Sequence, residues 1–180
     1  MNTSNNITIQ ETLEKVKARD SKLKKTSHNM MLVYLIGFII YLGIFVINPD
    51  PDLKLAERIS GLFYVLGFLI FGLYFRYYKR MISNLDYTLP LVSVIKQAER
   101  RYYFYNKNLL WLLLAVLIIG IGVVISVQKR LPDSLTTFES SLIVSISYLL
   151  LLTISFIFGK IRWRKTEKPI WLKLRQALKD

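Results

Sequence analysis

Few side chains in this sequence have the type and spacing that catalysis requires. The chain has no cysteine, and its single histidine, His28, stands next to an apolar run. A nucleophilic triad needs a histidine near a serine or cysteine, and a zinc site needs several histidine or cysteine ligands. The GxxxxGK[ST], GxGxxG and HExxH motifs do not occur. We therefore expect no enzymatic activity, no metal and no cofactor.

Basic residues form the main polar feature of the sequence. Lysine and arginine number 25 against 12 aspartates and glutamates, so the formal net charge is +13. Nucleic-acid-binding proteins share such an excess, but here the basic clusters flank apolar runs, which argues against nucleic acid as a partner. The clusters are typical of segments that contact anionic lipid headgroups. They are equally typical of segments that only set the orientation of the chain in the membrane. The candidate lipid contacts are Lys24, Lys25, Lys79, Arg80, Arg100, Arg101, Arg162, Arg164 and Lys165.

Small residues at four-residue spacing form a second set of candidates. Such spacing lets transmembrane helices approach one another closely. The pairs predict either ordinary packing within the chain or a polar-lined pore or oligomer interface. The candidate helix-packing residues are Gly122, Ser126, Ser141, Ser145, Ser155 and Gly159.

Four runs without charged residues predict the elements that hold these side chains. The clearest run, Leu109–Val127, has 19 residues, and at about 1.5 Å per residue it nearly matches the ~30 Å hydrocarbon core of a bilayer. The other runs are residues 30–47, 59–74 and 141–158, and prolines break the helix in the two short connections between successive runs. The predicted fold class is an all-α integral membrane protein with four transmembrane helices in two hairpins.

Three amphipathic stretches lie outside these runs. In the first, Thr8 and Glu11 predict a capping box at a helix start, and Asp20 interrupts an apolar stripe that includes Val16 and Leu23. We leave open whether such helices are solvated juxtamembrane segments or docking surfaces.

In the second amphipathic stretch, a helix behind Pro90 has one apolar face. The residues on this face are Leu91, Val94, Ile95, Ala98, Tyr102 and Tyr105. In the third, a C-terminal helix expected to lie in the lipid headgroup region has a face of Ile170, Trp171, Leu174 and Leu178.

The distribution of lysine and arginine predicts the orientation of the chain. The N-terminal tail has six, the central segment seven and the C-terminal tail eight, whereas each short connection has two. The positive-inside rule therefore places both termini and the central segment in the cytoplasm, and compact size suggests a bacterial inner membrane. The predicted organisation is a cytoplasmic helix at 1–29, a transmembrane hairpin at 30–78, a cytoplasmic amphipathic helix at 79–108, a second hairpin at 109–159 and a basic cytoplasmic tail at 160–180.

The absence of charged residues from the four runs limits the possible functions. Proton-coupled transport, ion relay and intramembrane proteolysis usually need ionisable groups within the membrane. We therefore expect a non-enzymatic scaffold or regulatory membrane component that acts through its cytoplasmic helices, with a protein partner or further copies of itself besides anionic lipid. The alternative is an oligomeric small-solute channel or permease subunit.

Overall fold

The structure, a computed structural model, describes the backbone of residues 3–48, 50, 53–88, 91–102, 108–127, 130–132 and 135–177. Side chains are described for the same residues except 3–12, 91, 100, 108 and 177. Within these ranges the chain is almost entirely helical and has no β-strand. The helices are α1 (Thr3–Leu42), α2 (Leu55–Ser83), α3 (Leu91–Tyr102), α4 (Asn108–Val127), α5 (Thr137–Thr166) and α6 (Lys168–Ala177), and a π-helical turn at Gly43–Ile47 extends α1.

Four of these helices are long and apolar enough to cross a membrane. Their apolar segments lie in Leu13–Ile47, Leu55–Ser83, Leu109–Val127 and Thr137–Thr166, so the all-α class and the four apolar helices are confirmed. The helices extend beyond the apolar runs. Helix α1 continues unbroken through residue 29, α2 continues past residue 78 and α5 past residue 159.

Helix α1 also begins earlier than its capping residues predict. It starts at Thr3, so the helix start predicted at Thr8 is wrong. No proline or glycine lies between Thr3 and Thr8, and adding a turn to an existing helix costs far less than nucleating one. By contrast, α5 begins with a true capping box, in which the Thr136 hydroxyl accepts from the Glu139 backbone N–H at 3.2 Å.

Aromatic residues and glycines join the long helices. The ring of Tyr34 on α1 stacks on Phe71 of α2 with centroids 4.6 Å apart, and Tyr41 meets Phe68 edge-on at 5.1 Å. The partner on α2 moves back from Phe71 to Phe68 as the residue on α1 moves forward from Tyr34 to Tyr41, so the two helices run in opposite directions. Helix α4 packs on α2 where a side chain at Gly67 would collide with Ile119.

A separate layer forms at the end of the bundle where α1 begins and α2 ends. This three-helix layer consists of residues 13–28 of α1 together with α3 and α6. Its apolar core is formed by Val16, Ile95, Ala98, Tyr102 and Leu174, with Leu23, Ile170 and Trp171 packed against it. The predicted apolar face of α3 is thus confirmed at its described positions, whereas Leu91 and Tyr105 fall outside the described side chains. The face of α6 covers α1 and α3, so the expectation that it lies against lipid headgroups is wrong at Leu174, which is 2% exposed.

Candidate functional site

A buried carboxylate lies at the centre of the three-helix layer. Asp20 is only 3% exposed. Its Oδ2 accepts hydrogen bonds from the hydroxyl of Tyr87 at 2.8 Å and from Nη2 of Arg101 at 2.9 Å, and its Oδ1 accepts from the hydroxyl of Tyr102 at 3.1 Å. A buried charge is tolerated when it is paired and hydrogen-bonded in this way. Asp20 therefore ties α1 to α3 and to the segment between α2 and α3.

Local sequence explains how the donors reach Asp20. Tyr102 follows Ala98 by one helical turn on the buried face of α3, and Arg101 precedes it at the edge of that face. Tyr87 lies in a turn in which Asp86 Oδ1 accepts from both the backbone N–H and the hydroxyl of Thr88, at 2.8 and 2.6 Å. These hydrogen bonds from Thr88 lower the pKa of the Asp86 carboxyl. The turn thus holds Tyr87 in position to donate.

The two tyrosines remain protonated over a wide pH range. Burial, followed by the hydrogen bond to Asp20 and its negative charge, raises the pKa of Tyr87 to about 12. Burial and the charge of Asp20 also raise the pKa of Tyr102 well above its ordinary value. Because a phenolate cannot donate to a carboxylate, the raised pKa values keep both hydrogen bonds in place to a higher pH than an unperturbed tyrosine would allow.

A second ion pair joins α1 to the junction between α5 and α6. Nε of Arg19 donates to Oε1 of Glu167 at 2.8 Å, and Nη2 of the same arginine donates to the same oxygen. The indole Nε1 of Trp163 donates to the backbone carbonyl of Tyr102 at 2.9 Å, so α5 also contacts α3. We call Asp20, Tyr87, Arg101, Tyr102, Arg19 and Glu167 the polar cluster. Its two carboxylates and two guanidinium groups balance in charge.

The side chains of the polar cluster are suited to holding helices and turns together. Its carboxylates accept from arginine and tyrosine, and among the described residues no group of three or more histidine, cysteine, aspartate or glutamate side chains could hold a metal. Nε of Arg101 and Oε2 of Glu167 are buried without a hydrogen-bond partner in the described part of the chain. The arrangement therefore orders three separate segments of sequence and leaves two polar atoms unsatisfied.

Two basic residues predicted as lipid contacts are engaged within the protein. The side chain of Arg101 is 10% exposed and pairs with Asp20, which leaves it little room to reach a lipid headgroup. Nζ of Lys79 lies 3.1 Å from Nδ1 of His28, where α2 meets the three-helix layer. The Arg100 side chain lies outside the described residues. The remaining predicted contacts are all exposed: Lys24, Lys25, Arg80, Arg162, Arg164 and Lys165.

The small residues predicted to pack helices form three pairs. Gly122 lies against α2, where an added Cβ would approach the Ser60 carbonyl oxygen to 3.0 Å, and the hydroxyl of Ser126 lies 2.8 Å from that of Tyr64. These two residues therefore pack within the chain. Ser155 and Gly159 on α5 are exposed.

The first turns of α5 hold the other predicted pair. Ser141 donates to the carbonyl of Thr137 at 2.8 Å, one turn earlier in the same helix. Ser145 is partly buried. The hydroxyl of Ser141 thus donates within its own helix.

No family model, curated protein or solved structure matches this chain.

Sequence reasoning did not identify the polar cluster as a site. The available signal was Asp20 itself, because an acidic residue within an apolar stripe must find a partner if the stripe is buried. Its partners lie 67, 81 and 82 residues away along the chain. No spacing rule could have connected them.

Proposed function

We propose that this protein is a non-enzymatic integral membrane scaffold whose three-helix layer lies in the cytoplasm and binds a protein partner there. In this proposal α1 with α2, and α4 with α5, form two transmembrane hairpins, and both termini are cytoplasmic. The host membrane is the inner membrane of a bacterium. Support for the orientation comes from the sequence, because 21 of the 25 basic residues occur in the N-terminal, central and C-terminal segments.

One observation carries the proposal. The N-terminal, central and C-terminal segments fold against one another around Asp20. Loose juxtamembrane tails that only set topology need no such shared core. A folded unit on rigid membrane helices is what a scaffold requires to present a fixed surface.

The chemistry of the exposed surface indicates the kind of partner. The carboxylates of Asp20 and Glu167 form ion pairs with arginines of the same chain. All three helices have exposed basic side chains, among them Lys22, Lys96 and Lys173. Charge complementarity therefore favours a cytoplasmic protein with an acidic surface.

Crosslinking in intact membranes followed by affinity purification tests this function. The variant Lys96→Glu/Lys173→Glu reverses charge on the exposed surface and leaves the buried core untouched. We expect it to lose partners that the parent chain captures. Lys54→Glu, an equally exposed change before α2, is the matched control and should capture the parental set. Identical capture by all three proteins would refute the scaffold.

The second candidate, an oligomeric channel or permease subunit, has one specific observation in its favour. On α5, residues 153–155 and 157–159 are exposed around the full circumference of the helix, as expected where neighbouring copies complete a bundle. Reconstituted vesicles separate the two candidates. The channel is favoured if the parent chain shows solute flux and either Ser145→Trp or Ser155→Trp abolishes it. The scaffold is favoured if a well-folded preparation of the parent chain shows no flux.

A further inference from the structure

A cleft between α2 and α4 has no role in the scaffold described above. Its volume is about 500 Å³, within the ~300–1,000 Å³ typical of ligand pockets. The lining residues are Ile70, Leu73, Tyr74, Tyr77 and Trp111. Leu73, Tyr77 and Trp111 are 52%, 59% and 58% exposed, so the cleft opens outward from the bundle.

The side chains along the cleft change from apolar to cationic towards one end. On α2 the lining positions 70, 73, 74 and 77 form one stripe at helical spacing. Arg80 follows Tyr77 by three residues, and Arg76 lies beside it, and both side chains are exposed. An apolar slot therefore ends at cationic side chains, with the amphipathic rings of Tyr77 and Trp111 near the boundary.

We propose that this cleft binds one acyl chain of an anionic phospholipid from the cytoplasmic leaflet, with the phosphate beside Arg80. The apolar walls match the hydrocarbon chain, and the guanidinium group matches the negatively charged headgroup. This inference rests on the membrane insertion proposed above, because only there would the cleft face lipid.

Charge argues against a second copy of the chain as the occupant. Copies inserted in the same membrane share one orientation. Helix α5 of a neighbouring copy would bring its own Lys160, Arg162 and Arg164 to the depth of Arg76 and Arg80. Like charges at close range disfavour that arrangement, whereas an anionic lipid brings the opposite charge.

Native mass spectrometry of the full-length, detergent-purified protein tests the proposal. The probes are phosphatidylglycerol and phosphatidylcholine with identical acyl chains. We expect the first phosphatidylglycerol to bind at lower concentration than phosphatidylcholine. Arg80→Gln should weaken the first phosphatidylglycerol about fivefold and leave phosphatidylcholine unchanged. Arg130→Gln, at an exposed arginine after α4 that does not line the cleft and is not one of the predicted lipid contacts, should change neither.

A second pair of variants tests the apolar walls. Leu73→Trp adds an indole inside the cleft and should weaken the first adduct of both lipids. Leu149→Trp makes the same change at an exposed leucine of α5 (56% exposed) and should weaken neither. Equal binding of the two lipids by the parent chain, or unaltered binding by Leu73→Trp, overturns the proposal. If the parent chain gives the mass of a dimer and Leu73→Trp abolishes that dimer, the proposal is also overturned, because the occupant of the cleft is then a second copy of the chain.

Loss of membrane insertion has a separate signature. Alkaline extraction of membranes, done before purification, releases a chain that is not inserted. That outcome would remove the proposed function itself, whereas failure of lipid selectivity in an alkali-resistant protein removes only the cleft as a lipid site.

Discussion

At the scale of single residues, Asp20 decides whether the three-helix layer is ordered. Its carboxylate accepts hydrogen bonds from three side chains contributed by two other segments. Removing one member of a buried ion pair leaves the other charge without compensation, which typically costs about 3–5 kcal/mol. Loss of the Asp20 charge alone would therefore destabilise the layer strongly.

We expect Asp20→Asn to destabilise the layer by about 3–5 kcal/mol, because the Arg101 guanidinium stays buried without its counter-ion. Hydrogen exchange of peptides covering α3 and α6 measures the effect. The double variant Asp20→Asn/Arg101→Met should lose less than the sum of the two single variants, with a coupling of about 0.5–3 kcal/mol. Simple additivity would show that the pair contributes nothing.

The raised pKa of Tyr87 predicts a stability change at high pH. The pKa is 10.0 without the protein environment and about 12 in the folded protein. Between pH 10 and 12 the unfolded chain has lost the phenolic proton and the folded chain keeps it, so stability falls as pH rises through this window and is unaffected below it. Tyr102 contributes with the same sign.

Thermal unfolding in detergent as a function of pH checks this expectation. The melting temperature of the parent should fall between pH 10 and 12 more steeply than that of Tyr87→Phe, which has no proton to lose. Below pH 10 the two curves should run parallel. Parallel curves throughout would show that Tyr87 ionises equally in both states.

At the scale of elements, α6 completes the layer by covering a surface that α1 and α3 leave apolar. Leu174 is 2% exposed and packs with Val16, Ile95 and Ala98. Because these positions come from three distant segments, none of the three helices can bury its apolar face alone. The helices should therefore gain and lose order together.

We expect Leu174→Ala to destabilise the layer by about 2–5 kcal/mol, through lost apolar contact and the cavity left behind. Faster hydrogen exchange should appear in α3 and in residues 13–28 as well as in α6. Leu172→Ala is the matched control, because Leu172 lies on the same helix and is 45% exposed; its effect should stay within about 0.5 kcal/mol. Exchange confined to α6 would contradict cooperative order of the layer.

At the scale of the whole molecule, charge asymmetry and the layer predict one topology. If the basic helix ends are cytoplasmic, the connection before α2 and the connection before α5 face the exterior. The chain has no cysteine, so single cysteines report accessibility without background.

We expect Asp52→Cys and Ser134→Cys to react with a membrane-impermeant maleimide in intact cells. Ser83→Cys, at the exposed end of α2, should react only after the membrane is permeabilised. The unsubstituted chain, which has no thiol, is the control. Labelling of Ser83→Cys in intact cells would reverse the proposed orientation.

The sequence by itself determined the four apolar helices and the buried face of α3. Insertion and amphipathicity depend on the residues of one helix taken alone, so periodicity and length suffice to find them. Val94, Ile95, Ala98 and Tyr102 are accordingly buried, as the spacing predicts.

Only the tertiary structure decided which polar residues are buried together and which apolar faces are already covered. Asp20 pairs with Arg101 and Arg19 pairs with Glu167 across separations of 81 and 148 residues, and the apolar face of α6 packs against α1 and α3. Ion pairing and core packing at such separations depend on where whole helices lie in space, and local sequence patterns do not contain that information.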